Sequence, residues 1–263
     1  MKQITIGGIA AVAATLALVA CGDHAFVPDV EGPVVTAAGV YSGSLTNDPA
    51  GATDFTAIVL DDGSFWTLYG QAGVATFTVQ GFGRGSGNSD GGAFASSAAT
   101  DFGFTPPVVL ALEATYDAGA GTFEGTYTTV SGTTDFVGGD IPDSSYAFQN
   151  PANLAMLTGL WDVQDMDGTL YTLDVAADGT FELAEQGGGC TGSGTFAPHD
   201  SDRGVFAVTV NYDDVVECTN QAGSASGIAL AYTYTGALTD QLLVAVNDGT
   251  TFGMALAGTR PSP

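Results

Sequence analysis

Asp178-Gly179-Thr180-Phe181 places a residue tolerant of positive φ beside a glycine, the combination that a tight β-hairpin turn requires. The same pairing recurs at Asp61-Asp62-Gly63, Met166-Asp167-Gly168 and Asn247-Asp248-Gly249. Between such turns lie alternating runs rich in Val, Thr, Phe and Tyr, among them Phe55-Thr56-Ala57-Ile58-Val59-Leu60 and Phe206-Ala207-Val208-Thr209-Val210. Helical periodicity is nearly absent after residue 38. Strands joined by hairpins this short run antiparallel, so the chain is expected to be all-β.

The stretch also has an echo. Asp62-Gly63-Ser64-Phe65 matches Asp178-Gly179-Thr180-Phe181 at an offset of 116, and Gly39-Val40-Tyr41 matches Gly159-Leu160-Trp161 at 120. Ala111 to Tyr116 matches Ala229 to Tyr234 at 118, and Gly132-Thr133-Thr134 matches Gly249-Thr250-Thr251 at 117. Four correspondences in one order indicate a duplication. Each copy has room for about eight strands of ordinary length. An open sheet of that size exposes two edges, and closing it removes both, so two tandem up-and-down barrels are predicted, with a tandem β-sandwich as the alternative. The missing Cys-Trp-Cys order argues against an immunoglobulin-type sandwich. The expected layout is a signal over residues 1–20, a tether over 21–37, a first barrel over 38–138, a linker with a short helix over 139–157, and a second barrel over 158–260. Asn150 and Pro151 read as the N-cap and first residue of that helix.

Gly159-Leu160-Trp161, and more weakly Gly39-Val40-Tyr41, resemble the Gly-x-Trp signature of calycins, the lipocalin and avidin type of barrel. That resemblance implies a helical turn plugging one end of the barrel. The second half also resembles uncharacterised lipoproteins of Gram-negative bacteria, in which a short helix, Gly-x-Trp, an Asp-Gly-x-Phe hairpin, a Gly-Cys strand, a second cysteine and a closing strand follow in order. Here the later motifs are Gly189-Cys190-Thr191-Gly192-Ser193-Gly194, Cys218 and Phe252 to Leu256. A more distant similarity, to the barrel domains of transferrin-binding surface lipoproteins, implies binding through outer faces and loops.

The first residues agree with that family. After Lys2, residues 4–20 form an uncharged, alanine-rich run, short for a membrane span and ending in small residues, as a secretory signal does. Leu18-Val19-Ala20-Cys21 resembles the bacterial lipobox, which implies acylation of Cys21, and Gly22 rather than Asp after it implies the outer membrane. Anchoring by several acyl chains is firm. With Cys21 used for lipid, Cys190 and Cys218 remain as an even pair in an exported chain, and a disulfide between them is expected.

All 29 acidic residues follow the signal, against only Arg84, Arg203 and Arg260, so the exported chain carries a formal charge of about −26 where the whole chain has −25. A field of that sign excludes nucleic acid and anionic lipid as partners. Asp165-Met166-Asp167-Gly168 and His199-Asp200-Ser201-Asp202 have the alternate spacing of calcium loops but lack a downstream bidentate Glu, and they read as turns; Asp213, Asp214 and Glu217 form a further acidic group. No metal site and no cofactor are expected. His24 and His199 are the only histidines, serines gather in Gly/Ser loops such as 83–89, and the glycines around Arg84 lack the Gly-Lys-Ser/Thr ending of a phosphate loop. A non-enzymatic protein is expected, binding a protein partner or contributing to the envelope. The other reading is a carrier of a small apolar ligand in a barrel lumen, with Trp66, Tyr69, Trp161, Tyr171, Tyr232 and Tyr234 as candidate lining residues.

Overall fold

The Asp178-Gly179 turn closes as its residues require. Gly179 has φ +86°, and Asp178 Oδ1 accepts the Thr180 N–H at 3.0 Å and its hydroxyl at 2.7 Å. The echo in the first half is the same object: Gly63 has φ +80°, and Asp62 Oδ1 accepts the Ser64 N–H at 2.9 Å and its hydroxyl at 2.6 Å. These bonds give the turn a local partner for its backbone, which is why the motif sets hairpin register. The structure is a computed structural model describing residues 36–72, 77–213, 218, 223–236 and 239–261. The signal, Cys21 and almost all of the expected tether lie outside the described residues.

The first half comprises β1 (Gly39–Thr46), β2 (Asp54–Val59), β3 (Ser64–Ala72), β4 (Phe77–Ser86), β5 (Asn88–Asp90), β6 (Ala93–Asp101), β7 (Val108–Asp117), β8 (Thr122–Thr129) and β9 (Gly132–Gly139). Both β4 and β5 pair with β6, so β5 prolongs β4 beyond Gly87 and the two act as one strand. With β1 paired to β9, eight strands then form a closed antiparallel ring. The second half is a closed barrel of β10 (Gly159–Asp165), β11 (Leu170–Val175), β12 (Thr180–Glu185), β13 (Thr191–Pro198), β14 (Phe206–Tyr212), β15 (Ser224–Tyr234), β16 (Thr239–Asn247) and β17 (Gly253–Thr259). Closure by β10 on β17 excludes the sandwich. Each of the four repeated motifs falls on strands or turns of the same rank in the two barrels.

The paired Gly-x-aromatic motifs have a shared chemistry. Trp161 Nε1 donates to the Leu157 carbonyl four residues earlier at 2.7 Å, and the Tyr41 hydroxyl donates to the Ala37 carbonyl, also four earlier, at 3.0 Å. Leu157 and Ala37 are fully buried, so each barrel is stoppered by the residues that lead into its first strand. Ala37 therefore belongs to the first barrel and not to a tether. The linker helix is a single 3-10 turn over Leu154–Met156, capped by Asn153, whose Oδ1 accepts the Ala155 N–H at 3.0 Å. The expected start at Asn150 and Pro151 is displaced, because the Asn150 N–H bonds back to Ala147 and the Ala152 N–H to Arg203.

Alternation in several strands resolves into three cores. In β16, Leu242, Val244 and Val246 point into the second barrel while Leu243 and Ala245 point out. In β2 and β3, Phe55, Ala57, Val59, Phe65 and Tyr69 fill the first barrel while Ile58, Trp66 and Leu68 face outward. The outward sets meet, so that Ile58, Leu60, Trp66, Leu68, Phe82, Ile228, Leu230, Tyr232 and Leu243 form one cluster between the barrels, joined by Ile141 and Phe148 of the linker. Residues 35–263 accordingly form one compact unit. Burying each such side chain contributes about 1.5–3 kcal/mol.

A β-bulge adjusts β4 to this seam. Tyr69 pairs with Gly81 but Gly70 with Val79, so Gln80 is an extra residue and the inside-outside alternation reverses across it. Phe77, Val79 and Phe82 thereby all reach the seam. Polar pins cross it as well. Gln241, fully buried, accepts the Phe77 N–H at 3.1 Å and donates to the carbonyls of Leu242 and Gly258 at 3.1 and 2.9 Å. Arg84 donates to Asn247 at 3.1 Å, and Arg203 grips Asp61 through two nitrogens, each at 2.8 Å.

Candidate functional site

Neither lumen has room for a ligand. The gap between Leu45, Phe55, Thr67, Leu112, Phe123 and Tyr127 in the first barrel is about 10 Å³, and that between Leu173, Phe181, Phe196, Val244 and Met254 in the second about 20 Å³. Each holds at most one water molecule. Stacked and edge-on rings fill the space: Tyr41 on Phe123 with centroids 4.9 Å apart, Phe65 on Phe94 at 5.7 Å, and Phe181 on Phe196 at 4.8 Å.

The six aromatic candidates are not brought together in one site. Tyr69 and Trp161 are packed inside the two barrels, Tyr171 sits at the mouth of the second, Trp66 and Tyr232 are buried in the seam, and Tyr234 packs against it. The expectation that they line a lumen is corrected for Trp66, on the outer face of the first barrel, and for Tyr232 and Tyr234, on the outer face of the second, because these outer faces meet in the seam and against Tyr146 of the linker. Tyr69 has a different use. Its hydroxyl donates to the buried Asp101 at 2.7 Å, its ring lies 6.3 Å from that of Tyr127, and the Tyr127 hydroxyl donates to Asp48. A polar column thus runs through the first barrel. Burial raises the pKa of Asp101, an effect opposed by the bonds from Tyr69 and Gly103; burial, then the charge of Asp101, pushes the Tyr69 hydroxyl up. A Cβ at Gly81 or Gly103 would stand 2.3 and 1.9 Å from the Tyr69 oxygen, so both glycines are needed to seat this ring.

All three arginines are committed to the fold. Arg260 lies over the Trp161 ring at 4.4 Å, pairs with Asp240 at 2.6 Å and donates to the carbonyls of Thr158 and Met156 at 2.8 and 2.7 Å, clamping the 3-10 turn onto the barrel end. Arg84 lies over Trp66 at 5.6 Å and Arg203 over Phe148 at 5.4 Å. His199 is also tied down, its Nδ1 3.0 Å from the Ser201 hydroxyl and 3.2 Å from the Ser201 N–H within its own turn. Among the described residues no group of three His, Cys, Asp or Glu is arranged to hold a metal. Asp214 and Glu217 lie outside the described residues.

A polar cleft lies between the barrels. It measures about 500 Å³ and is walled on one side by Gln80 and by residues 102–107 after β6, and on the other by the mouth of the second barrel. That mouth supplies Asp165 and Asp167 from the β10–β11 turn, Glu185 at the end of β12, Tyr171, Phe252 and the disulfide of Cys190 with Cys218, whose Cα atoms are 4.7 Å apart. Asp165 Oδ1 accepts the N–H groups of Asp167 and Thr169 at 2.9 and 2.8 Å, so the apparent calcium loop is spent on its own turn. Burial raises the pKa of Asp165 and these bonds partly offset it. Glu185 accepts the Cys190 N–H at 3.0 Å. Gln80, the bulge residue, contributes to the wall, but its Oε1 is closed to solvent and so is not open to the cleft; it has no partner among the described residues. Sequence reading missed this cleft, because its walls come from strands far apart in the chain and from a bulge.

The fold and site define a class: a tandem pair of eight-stranded barrels with filled interiors and a shared apolar seam. No protein-family model and no curated protein matches the chain. Among solved structures it is similar to a Nostoc punctiforme protein of unknown function from the DUF3598 family, 14% identical over 86% of this chain and 96% of that one, with a TM-score of 0.25. That likeness is too low to carry any argument about function.

Proposed function

We propose that the chain is a non-enzymatic, lipid-anchored protein of the bacterial outer membrane, with calycin-like barrels that act through their outer faces and loops on a protein partner or as part of the envelope. The observation that carries this reading is the filling of both lumens by their own side chains. A carrier of the lumenal kind needs several hundred cubic ångströms, and those spaces are smaller by more than tenfold. The lipobox-like Leu18 to Cys21 supports the anchor, and the acidic composition, with each arginine already laid on an aromatic ring, supports a cationic rather than an anionic partner.

The test has two arms. Cys21→Ser should move the protein from the membrane to the soluble fraction of its host, and retention on the membrane would remove the anchor. Native mass spectrometry of the wild-type protein purified from that host should show no stoichiometric apolar molecule; finding one would restore the carrier reading.

A further inference from the structure

We propose that the outward face of β6 to β9 on the first barrel docks a partner protein, through a surface on which lysine or arginine side chains flank an apolar residue. This docking rests on the surface-protein reading and supplies what that reading leaves open, the face and the chemistry of the partner. Alternation decides what points outward. In β7, Leu110, Leu112 and Ala114 pack into the barrel, so Val109, Glu113 and Thr115 stand on its outer face. In β9, Phe136 is buried while Asp135 and Val137 are turned out. The outward face of β2 to β4 is closed by the second barrel, which covers Ile58, Trp66 and Leu68. On β7 and β9, by contrast, Val109 and Val137 stay 65% and 60% exposed.

Shape and charge name the occupant. A shallow hollow of about 700 Å³ lies on this face, floored by the small side chains of Ala93, Ala95, Thr115 and Thr126 beside Val137. So open a hollow would leave a small ligand mostly in water, whereas a protein surface can lay an apolar side chain into it. Cross-strand register sets carboxylates around it. Glu113 pairs with Thr126 and Thr126 with Asp135, so the two acids share a row, two strand spacings or about 10 Å apart. Glu124, opposite Thr115, stands in the next row. Glu113 and Glu124 are exposed, and among the described residues neither pairs with a cation. None of the three arginines lines the hollow, so the partner must bring the positive charge. A second copy of this acidic chain would bring the wrong sign.

The probes are two amidated peptides. Lys-Lys-Leu-Leu-Lys-Lys, when extended, places Leu between two Lys on either face, and Lys-Lys-Ser-Ser-Lys-Lys keeps the charge but loses the apolar contact. Isothermal titration and amide chemical-shift mapping would be run on the full chain in a non-ionic detergent, with empty micelles as the blank. The leucine peptide should bind about fivefold or more tighter than the serine peptide, with shifts centred on β6 to β9. Changing Glu113 and Glu124 together to Gln should weaken both peptides about fivefold or more. Ala95→Glu separates hollow from charge, because it adds a carboxylate and fills the hollow: docking predicts a leucine peptide bound about fivefold weaker, and general attraction to acid predicts a tighter one. Ala184→Glu, the same change at an exposed strand position of the second barrel, should leave binding unchanged. Should Ala95→Glu fail to fold, Val137→Ser decides, by weakening the leucine peptide alone. Equal affinities of the two peptides, no binding of either up to about 5 mM, tighter or unchanged binding in Ala95→Glu, or self-association of the chain through this face would overturn the proposal. Shifts gathered on another outer face would overturn it too, while leaving the surface-protein reading intact.

Discussion

Replacing Gln241 by Leu tests whether the two barrels are one cooperative body. The side chain is fully buried, and its amide joins the start of β4 in the first barrel to β16 and β17 in the second. Leu has nearly the same volume, so packing changes little. What changes is that the Phe77 N–H loses its acceptor, and the carbonyls of Leu242 and Gly258 lose a donor, where water does not reach. An orphaned buried group costs about 1–3 kcal/mol, and the carbonyls keep a second lone pair for the ladder, so the N–H dominates. Adding a smaller share for the carbonyls and subtracting the gain from burying Leu, a net loss of about 1–2 kcal/mol is expected. That is an appreciable part of the total stability of about 5–15 kcal/mol. Urea unfolding followed by tryptophan fluorescence reads both sides at once, since Trp66 lies in the seam and Trp161 in the second barrel. The midpoint should fall in a single transition, and amide exchange at Phe77 should quicken. A loss below about 0.5 kcal/mol, the size of an ordinary surface change, would refute the assignment of Gln241 as a pin.

Arg260→Lys should destabilise by about 2–4 kcal/mol, because an ammonium cannot reach Asp240, two carbonyls and the Trp161 face together; equal melting temperatures for Lys and Arg would contradict the clamp. Changing Cys190 and Cys218 together to Ser opens a loop of 28 residues, for which loop entropy predicts a loss of about 3.5 kcal/mol in thermal or urea unfolding. Asp248 is held at a pKa of about 2 against an ordinary 3.8: slight burial would raise it, but the N–H groups of Phe252, Thr250 and Thr251 and the Thr250 hydroxyl outweigh that. Its stabilisation is present above pH 3.8 and is lost as pH falls through about 2, so acid unfolding of Asp248→Asn should lose that step, and an unchanged acid limb would speak against it.

Much of the architecture was legible along the chain because it is decided locally. An Asp-Gly turn satisfies its own backbone, so Asp62-Gly63 and Asp178-Gly179 announce hairpins without knowledge of anything distant. Repetition of such units in order made the duplication visible, and the even pair Cys190 and Cys218, read beside Cys21, pointed to the disulfide that the structure contains. The tether and linker boundaries were harder. Ala37 is placed by the bond its carbonyl accepts from Tyr41, which nothing in its own side chain announces, and Asn153 caps through its side chain but is preceded three residues earlier by Asn150, an equally suitable cap residue.

Tertiary structure alone decided which face of each strand is inside. In β15 to β17 both faces are apolar, because one lines a barrel and the other lines the seam, so alternation carries no directional signal. Trp66 and Tyr232 consequently read as lumen residues although they face the neighbouring barrel. The cleft is hidden for the same reason: Gln80 reaches it only through a bulge that reverses alternation, and Asp165 and Glu185 meet it only once two closed sheets are pressed together. Hydrogen bonds between neighbours in the chain are written in its order of residues, whereas contacts between two finished surfaces depend on shapes that exist only after each barrel has closed.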